Sequence, residues 1–155
     1  MTTEQISDAE LAGQPAAYWT GVAYEALIAY IRARQVEKGY TQPQFWLLRN
    51  LSVNDISPDG GGMTVPELQE AMTLYIRPED DLAAEAEVLV GRGWLTRDTE
   101  DRLWLTEEGE RARVDFSRNA PAIRAVLHEG IDDADYVTAL KVLRRLIHNA
   151  GGTAA

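Results

Sequence analysis

The chain has 155 residues, of which 45% are hydrophobic, and a formal net charge of −10. This length and hydrophobic content suffice for a domain with a packed core and exclude an intrinsically disordered chain. No run of about 18 uncharged apolar residues is present, and the acidic amino terminus is unlike a secretory signal. We therefore expect a cytoplasmic protein without a membrane partner.

Residue types narrow the chemistry further. The chain has no cysteine and only two histidines, His128 and His148, so disulfides, thiolate catalysis and cysteine-rich zinc sites are excluded. The Gly-x-Ser-x-Gly, phosphate-loop and His-Glu-x-x-His motifs are absent as well. The sequence thus predicts a protein that is not an enzyme and holds no cofactor or metal. Its negative charge opposes nonspecific attraction to nucleic acid, although a local basic patch can outweigh a distant acidic surface.

Two amphipathic helices are predicted in the amino-terminal third. The first spans residues 15–38, where apolar side chains recur at helical spacing and Gly39 can form the left-handed cap that ends a helix. The second spans residues 41–51, with apolar side chains on one side. Residues 57–62, Ser-Pro-Asp-Gly-Gly-Gly, then favour a loop.

Two shorter helices and a hairpin are predicted next. One helix runs from Thr64 to about Met72, because Thr64 can cap it and a glutamate three residues later completes a capping box. The next runs over residues 77–91. Residues 94–97 and 102–105 are predicted to form two strands joined by a polar turn.

Two helices complete the predicted chain. One begins after Thr106 and ends at Gly130, with a kink expected at Pro121. The last begins after Asp132, which is expected to cap it, and carries an apolar stripe as far as Ile147.

The order of these elements predicts a mainly α fold with a small β-hairpin wing. Short helix, turn, helix and hairpin form a winged helix-turn-helix, which we assign to residues 39–106. The apolar stripes of the terminal helices are larger than so small a module can cover. Residues 1–38 and 107–155 are therefore expected to form an α-helical dimerisation frame.

Four segments resemble the MarR family of transcription regulators. Residues 41–49 resemble its second helix, residues 63–68 the start of its helix-turn-helix, residues 89–95 the end of its recognition helix, and residues 101–109 its wing strand. The resemblance covers residues 15–147. It implies a homodimer that binds double-stranded DNA at half-sites about one turn apart and is released by a small aromatic or acidic effector.

The resemblance also assigns candidate DNA-contacting residues. Arg102 matches the wing arginine that enters the minor groove, although an arginine there can instead hold the hairpin shut through a salt bridge. Arg97 flanks the other side of the wing, and Arg77 precedes the presumed recognition helix. The full candidate set is Thr64, Arg77, Asp80, Asp81, Ala84, Arg97 and Arg102.

The presumed recognition helix is acidic, and this leaves two functions open. Between Pro78 and Gly91 the sequence contains five carboxylates and no basic residue. Glu79, Asp80 and Asp81 suit a helix amino terminus, where they interact favourably with the helix dipole. Facing phosphates, they would weaken DNA binding. The alternative is a degenerate winged helix that uses the acidic face to bind a basic protein partner.

A ligand pocket is the last expectation that the resemblance brings. Family effectors bind between the dimerisation frame and the winged helix, and Arg49 is the natural partner of an acidic effector. Aromatic residues at helical spacing are as readily part of the core, and that alternative stays open. The candidate lining residues are Tyr18, Trp19, Tyr24, Trp46, Arg49 and Tyr75.

Overall fold

A computed structural model describes residues 5–153, and the described residues form two compact units that divide between Ser117 and Arg118. The first unit contains, in chain order, α1 (Asp8–Ala12), α2 (Ala16–Glu37), α3 (Gln42–Leu51), α4 (Val65–Ala71), α5 (Leu82–Gly91), β1 (Leu95–Arg97), β2 (Leu103–Leu105) and α6 (Glu107–Ser117). The second contains α7 (Ala120–Leu127) and α8 (Asp133–Asn149). Within residues 5–153, no helix is both long and apolar enough to cross a membrane. The predicted mainly helical fold with one hairpin is confirmed.

Local capping signals set the starts of α3 and α4. The Thr41 hydroxyl accepts a hydrogen bond from the Gln44 amide at 3.2 Å, and the Gln44 side chain accepts one from the Thr41 amide at 3.1 Å. At α4 the Thr64 hydroxyl accepts from the Glu67 amide at 3.3 Å. Each cap satisfies amide donors that a helix start leaves without partners.

The core of the first unit lies where α3, α4, α5 and the hairpin meet. Large side chains that are less than 2% exposed there are Leu47, Leu48, Leu51, Leu68, Met72, Leu89, Leu95 and Leu103. Burying each stabilises the fold by roughly 1.5–3 kcal/mol. Tyr40 stacks on Phe116 with ring centroids 4.0 Å apart, which fixes the end of α6 against the start of α3.

The hairpin is antiparallel and packs closely on α6. Leu95 pairs with Leu105 and Arg97 with Leu103, while Met63 forms a further bridge to Leu103. A Cβ added to Gly109 would lie 2.1 Å from the carbonyl oxygen of Trp94. Only glycine therefore allows the first turn of α6 to approach β1 so closely.

The structure differs from the predicted elements at three places. Helix α1 was not expected, although Ser7 and Glu10 form a capping box there. Helix α5 begins at Leu82 and not near residue 77, because Asp81 caps it. The predicted kinked helix over residues 107–130 is two helices, and Pro121 lies in the first turn of α7, where a proline needs no amide donor.

Helices α2 and α8 both leave large apolar side chains in contact with solvent. On α2 those at least 40% exposed include Tyr18, Trp19, Val22, Tyr24 and Leu27. On α8 they include Val137, Leu140, Val142, Leu146 and Ile147. The assignment of terminal segments to a dimerisation frame remains a prediction that these faces support.

Candidate nucleic-acid interface

Helices α4 and α5 form a helix-turn-helix that presents one side of α5 to solvent. Leu82, Ala86 and Leu89 are buried on the inner side of α5. The outward positions carry small, apolar or acidic side chains, and none is basic. These exposed positions are Ala83, Ala84, Glu87, Val88 and Gly91.

Asp81 and Ala84, both predicted to contact DNA, form the amino-terminal cap of α5. The Asp81 carboxylate accepts a hydrogen bond from the Ala84 amide at 3.0 Å, and both residues are exposed. The interpretation that an acid stabilises this helix start is therefore confirmed for Asp81. Ala84 keeps its methyl group free on the outward face.

Asp80, also predicted to contact DNA, precedes α5 and has a side chain turned away from solvent. Its side chain is only 6% exposed and accepts two hydrogen bonds from the Arg32 guanidinium, at 2.7 and 2.9 Å. The Arg77 amide donates a third at 2.8 Å. Burial acts to raise the pKa of Asp80, but these donors outweigh it and hold that pKa below its usual value.

The Arg77 guanidinium forms ion pairs with two carboxylates, one on α2 and one in the segment before α5. Its guanidinium donates to Glu25 of α2 at 2.9 and 3.0 Å and to Glu79 at 2.7 Å. It also lies over the Tyr24 ring, 5.3 Å from the centroid. With Arg32–Asp80, this contact makes two ion-paired links between α2 and the segment that leads into α5.

The two wing arginines are also paired with acids. Arg97 bonds to Glu87 of α5 and lies 3.8 Å from Asp101, while Arg102 lies 2.8 Å from Glu100. The contact between Arg102 and Glu100, both close to the turn, supports the open alternative that Arg102 holds the hairpin shut. All three carboxylates are more than half exposed, so these are surface pairs with little net stabilisation.

The turn of the wing is held by Asp98. Its carboxylate accepts from the Trp104 indole nitrogen at 2.9 Å and from the Glu100 and Arg102 amides. The Trp104 and Arg102 contacts are the main reasons that the pKa of Asp98 lies below its ordinary range. Asp101 has φ of 62°, a left-handed conformation that aspartate tolerates better than most residues.

Thr64 and Arg97 come together at one edge of the interface. They line an open depression of about 340 Å³ with Val65, Pro66 and Asp101. The Thr64 hydroxyl also donates to the Glu67 carboxylate at 3.0 Å. Of the predicted set, this edge and the outward face of α5 therefore gather Thr64, Asp81, Ala84 and Arg97, whereas Asp80 lies inside the fold.

Comparison with solved structures identifies this architecture. A MarR-family regulator from Silicibacter pomeroyi matches with a TM-score of 0.67 at 19% identity, over 93% of this chain and 99% of that one. A family member from Mycobacterium tuberculosis matches with a TM-score of 0.66 at 20% identity, over 85% and 93% of the two chains. BpsR from Bordetella bronchiseptica, whose DNA binding is regulated by 6-hydroxynicotinic acid, matches with a TM-score of 0.61 at 20% identity, over 86% and 93%.

The chain has the fold of MarR-family transcription regulators. At these identities the likeness establishes the fold. No family model and no curated protein matches the amino-acid sequence.

The winged helix of this MarR fold is acidic. Between Thr64 and Leu105 the sequence has ten acidic and four basic residues, a net charge of −6. Three of those four arginines, Arg77, Arg97 and Arg102, have carboxylate partners. Negative charge therefore exceeds positive charge in the described winged helix, and most of its arginines lie beside a carboxylate.

The six predicted pocket residues separate into two groups on this MarR fold. Tyr18, Trp19 and Tyr24 lie on α2, each more than 40% exposed. Trp46 instead packs on Tyr75, with ring centroids 4.1 Å apart.

Arg49 belongs with Trp46 and Tyr75, but the charge of its guanidinium is already neutralised by a carboxylate. Its guanidinium donates to Asp55 at 2.9 and 3.1 Å and lies over the Trp46 ring. An acidic effector would have to displace Asp55, so the role predicted for Arg49 remains a proposal with a competitor in place.

Two residues that matter to this site were missed from the sequence. Glu25 and Arg32 of α2 bind Arg77 and Asp80, respectively. Their spacing of seven residues places them on one face of α2, and this spacing is the sequence signal that could have identified them. It was overlooked because the apolar stripe dominates the pattern of that helix.

Proposed function

We propose that the protein is a homodimeric transcription regulator that binds double-stranded DNA through α5 and the wing. The observation that carries this proposal is the outward face of α5, which is free of core contacts and lies beside the wing in a fold shared with transcription regulators. The exposed apolar faces of α2 and α8 support the homodimer, because solvent-exposed faces of this kind mark protein interfaces.

The α5 face favours contact with bases over contact with phosphates. Ala83, Ala84 and Val88 offer methyl groups that suit the C5-methyl of thymine in the major groove, and Glu87 can accept from cytosine N4. Arg97 and Arg102 can exchange their exposed carboxylates for phosphates, since solvent-exposed ion pairs contribute little net stabilisation. Binding is then weak on random DNA and depends strongly on a matching site.

Regulation by a small effector is part of this proposal. One structural neighbour has its DNA binding regulated by 6-hydroxynicotinic acid, an aromatic acid. In the present chain the aromatic residues of α2 and the Trp46–Tyr75 pair supply apolar surface for an aromatic ring, and Arg49 supplies a cation. The ion pairs from α2 to Arg77 and Asp80 give such binding a route to α5.

The proposal is tested by fluorescence anisotropy with duplexes from the DNA that flanks the protein's own gene. Arg97→Ala and Arg102→Ala are expected to weaken binding at least tenfold together. The matched control is Arg111→Ala, which removes an exposed arginine paired with Glu107 on α6 and is expected to change affinity less than twofold. Equal losses in both variants, or no binding of any flanking duplex at low salt, would contradict the proposal.

The alternative function, capture of a basic protein, is favoured by one observation, the net charge of −6 between Thr64 and Leu105. Glu100→Gln with Asp101→Asn separates the two functions, because it removes two exposed carboxylates of the wing, beside Arg102 and Arg97, and leaves Glu87 in place. DNA binding is expected to strengthen in this variant, whereas binding of a fluorescent oligolysine peptide would weaken. A wild-type protein that binds the peptide tightly and no duplex would favour the alternative.

A further inference from the structure

The second unit carries a concentration of basic residues in an otherwise acidic protein. Lys141, Arg144, Arg145 and His148 occupy positions i, i+3, i+4 and i+7 of α8, and all four side chains are exposed. At about 100° per residue they fall within roughly 100° of the helix circumference. We call this surface the α8 basic face.

The α8 basic face has no neutralising partner among residues 5–153. None of its four side chains takes part in an ion pair there, in contrast to Arg77, Arg97 and Arg102 of the winged helix. The acids of α8, Asp133 and Asp135, lie in its first turn, at the opposite end of the helix. The face therefore keeps its charge available for an external anion.

The helix dipole does not account for the basic face. Cations near a helix carboxyl terminus are favourable, but the effect fades beyond the last turn. His148 lies in that last turn, whereas Lys141 lies about two turns earlier. The basic face is thus longer than the last turn, where cations would stabilise the helix.

The shape of the surface indicates an extended anion. The four side chains, with Gly152 and Thr153, line an open depression of about 680 Å³. No apolar side chain of the described residues lines it, so it lacks the aromatic or aliphatic anchors of protein interfaces and small-molecule pockets. Leu143 and Leu146 lie on the opposite side of α8 from the basic face, while Leu140 and Val142 lie at its two edges.

We propose that the α8 basic face binds the phosphodiester backbone of DNA without reading its sequence. Lys141 to His148 extend over about 10 Å of helix, which exceeds the phosphate spacing of one strand, and arginine forks suit phosphate oxygens. This inference rests on the proposed function and adds a source of positive charge that the winged helix lacks. The surface supplies affinity, while α5 supplies sequence preference.

The test measures how the affinity of the full-length protein for a duplex depends on salt. The variant is Lys141→Gln/Arg144→Gln/Arg145→Gln. The control is Lys38→Gln/Arg111→Gln/Arg124→Gln, which removes the same three charges from exposed positions elsewhere. Circular dichroism and size-exclusion chromatography confirm that both retain the fold and oligomeric state of the parent.

The α8 variant is expected to lower the slope of log K against log salt by about 2–3 per chain, at roughly 0.9 for each phosphate that is no longer neutralised. Its dissociation constant is expected to rise at least tenfold, with the same preference among duplexes, while the control stays within about threefold. If both variants lose affinity equally and keep the parent slope, the α8 inference is overturned and the proposed function stands. If the parent binds no duplex at low salt, both fall, and binding of the parent to anionic vesicles in its place would assign the face to membranes.

Discussion

Asp80 provides the sharpest test of how the segment before α5 is built. Replacing it by alanine removes three hydrogen bonds, two from the Arg32 guanidinium and one from the Arg77 amide. Arg32, which is 22% exposed, would keep only its bond to the Gln42 side-chain oxygen at 3.0 Å. The change thus leaves a largely buried cation without its counter-ion.

The magnitude follows from the degree of burial. Breaking a fully buried ion pair costs about 3–5 kcal/mol, and exposed pairs contribute about 0–1 kcal/mol. With Asp80 at 6% and Arg32 at 22% exposure, we expect Asp80→Ala to lower the free energy of unfolding by about 2–4 kcal/mol. The neighbouring acids are matched controls: we expect a loss of about 1 kcal/mol for the helix cap Asp81 and a smaller loss for the exposed Glu79.

Urea unfolding followed by far-UV circular dichroism measures the three variants at one protein concentration, since dimerisation links stability to concentration. The expected order of destabilisation is Asp80→Ala, then Asp81→Ala, then Glu79→Ala. A double-mutant cycle with Arg32→Ala should show a coupling energy above about 1 kcal/mol. If Asp80→Ala destabilises no more than Glu79→Ala, or binds DNA more tightly at unchanged stability, the buried ion pair is refuted.

Three further predictions concern other parts of the first unit. The Arg113 guanidinium, with Ser52 and Asn54, outweighs burial and lowers the pKa of Glu110 from 4.5 to about 2. Its stabilisation is therefore present above about pH 4.5 and lost as pH falls towards 2, so Glu110→Gln should flatten the acid limb of the unfolding profile; an unchanged limb would contradict this. Gly109→Ala should lower the melting temperature by at least about 5 °C, since its Cβ would meet the Trp94 carbonyl oxygen, whereas Gly21→Ala has open space and should not destabilise. Thr64→Ala should cost about 1 kcal/mol in urea unfolding and Thr64→Ser much less; equal costs would exclude a capping role.

The sequence predicted those parts of the fold whose causes lie within a few residues. The cap at Thr64 and the hairpin from Leu95 to Leu105 depend on neighbours in the chain, and the structure has both. Of the capping box predicted at Thr64, the structure has the bond from the Glu67 amide, and the Glu67 carboxylate accepts from the Thr64 hydroxyl. The capping box between Ser7 and Glu10 is equally local, so the sequence also carries a signal for α1. The start of α5, predicted near residue 77, lies at Leu82, because Asp81 provides the cap.

Ion pairs between residues far apart in the sequence determine which charged side chains of this region are buried. Asp80 is buried because Arg32, 48 residues earlier, lies opposite it, and Arg77 is turned inward by Glu25, 52 residues earlier. No rule of periodicity or capping contains that information. The helices and hairpin of the winged helix were therefore predicted from local signals, while the orientation of their charged side chains depended on α2.

The claim that α5 and the wing dock on DNA is tested most directly by hydrogen–deuterium exchange of the free and DNA-bound protein. With a bound flanking duplex, we predict slower exchange of backbone amides in residues 82–91 and 95–105. Exchange in α3, which lies in the core, should be unchanged. A complex that forms without protection of α5 or the wing would contradict the account.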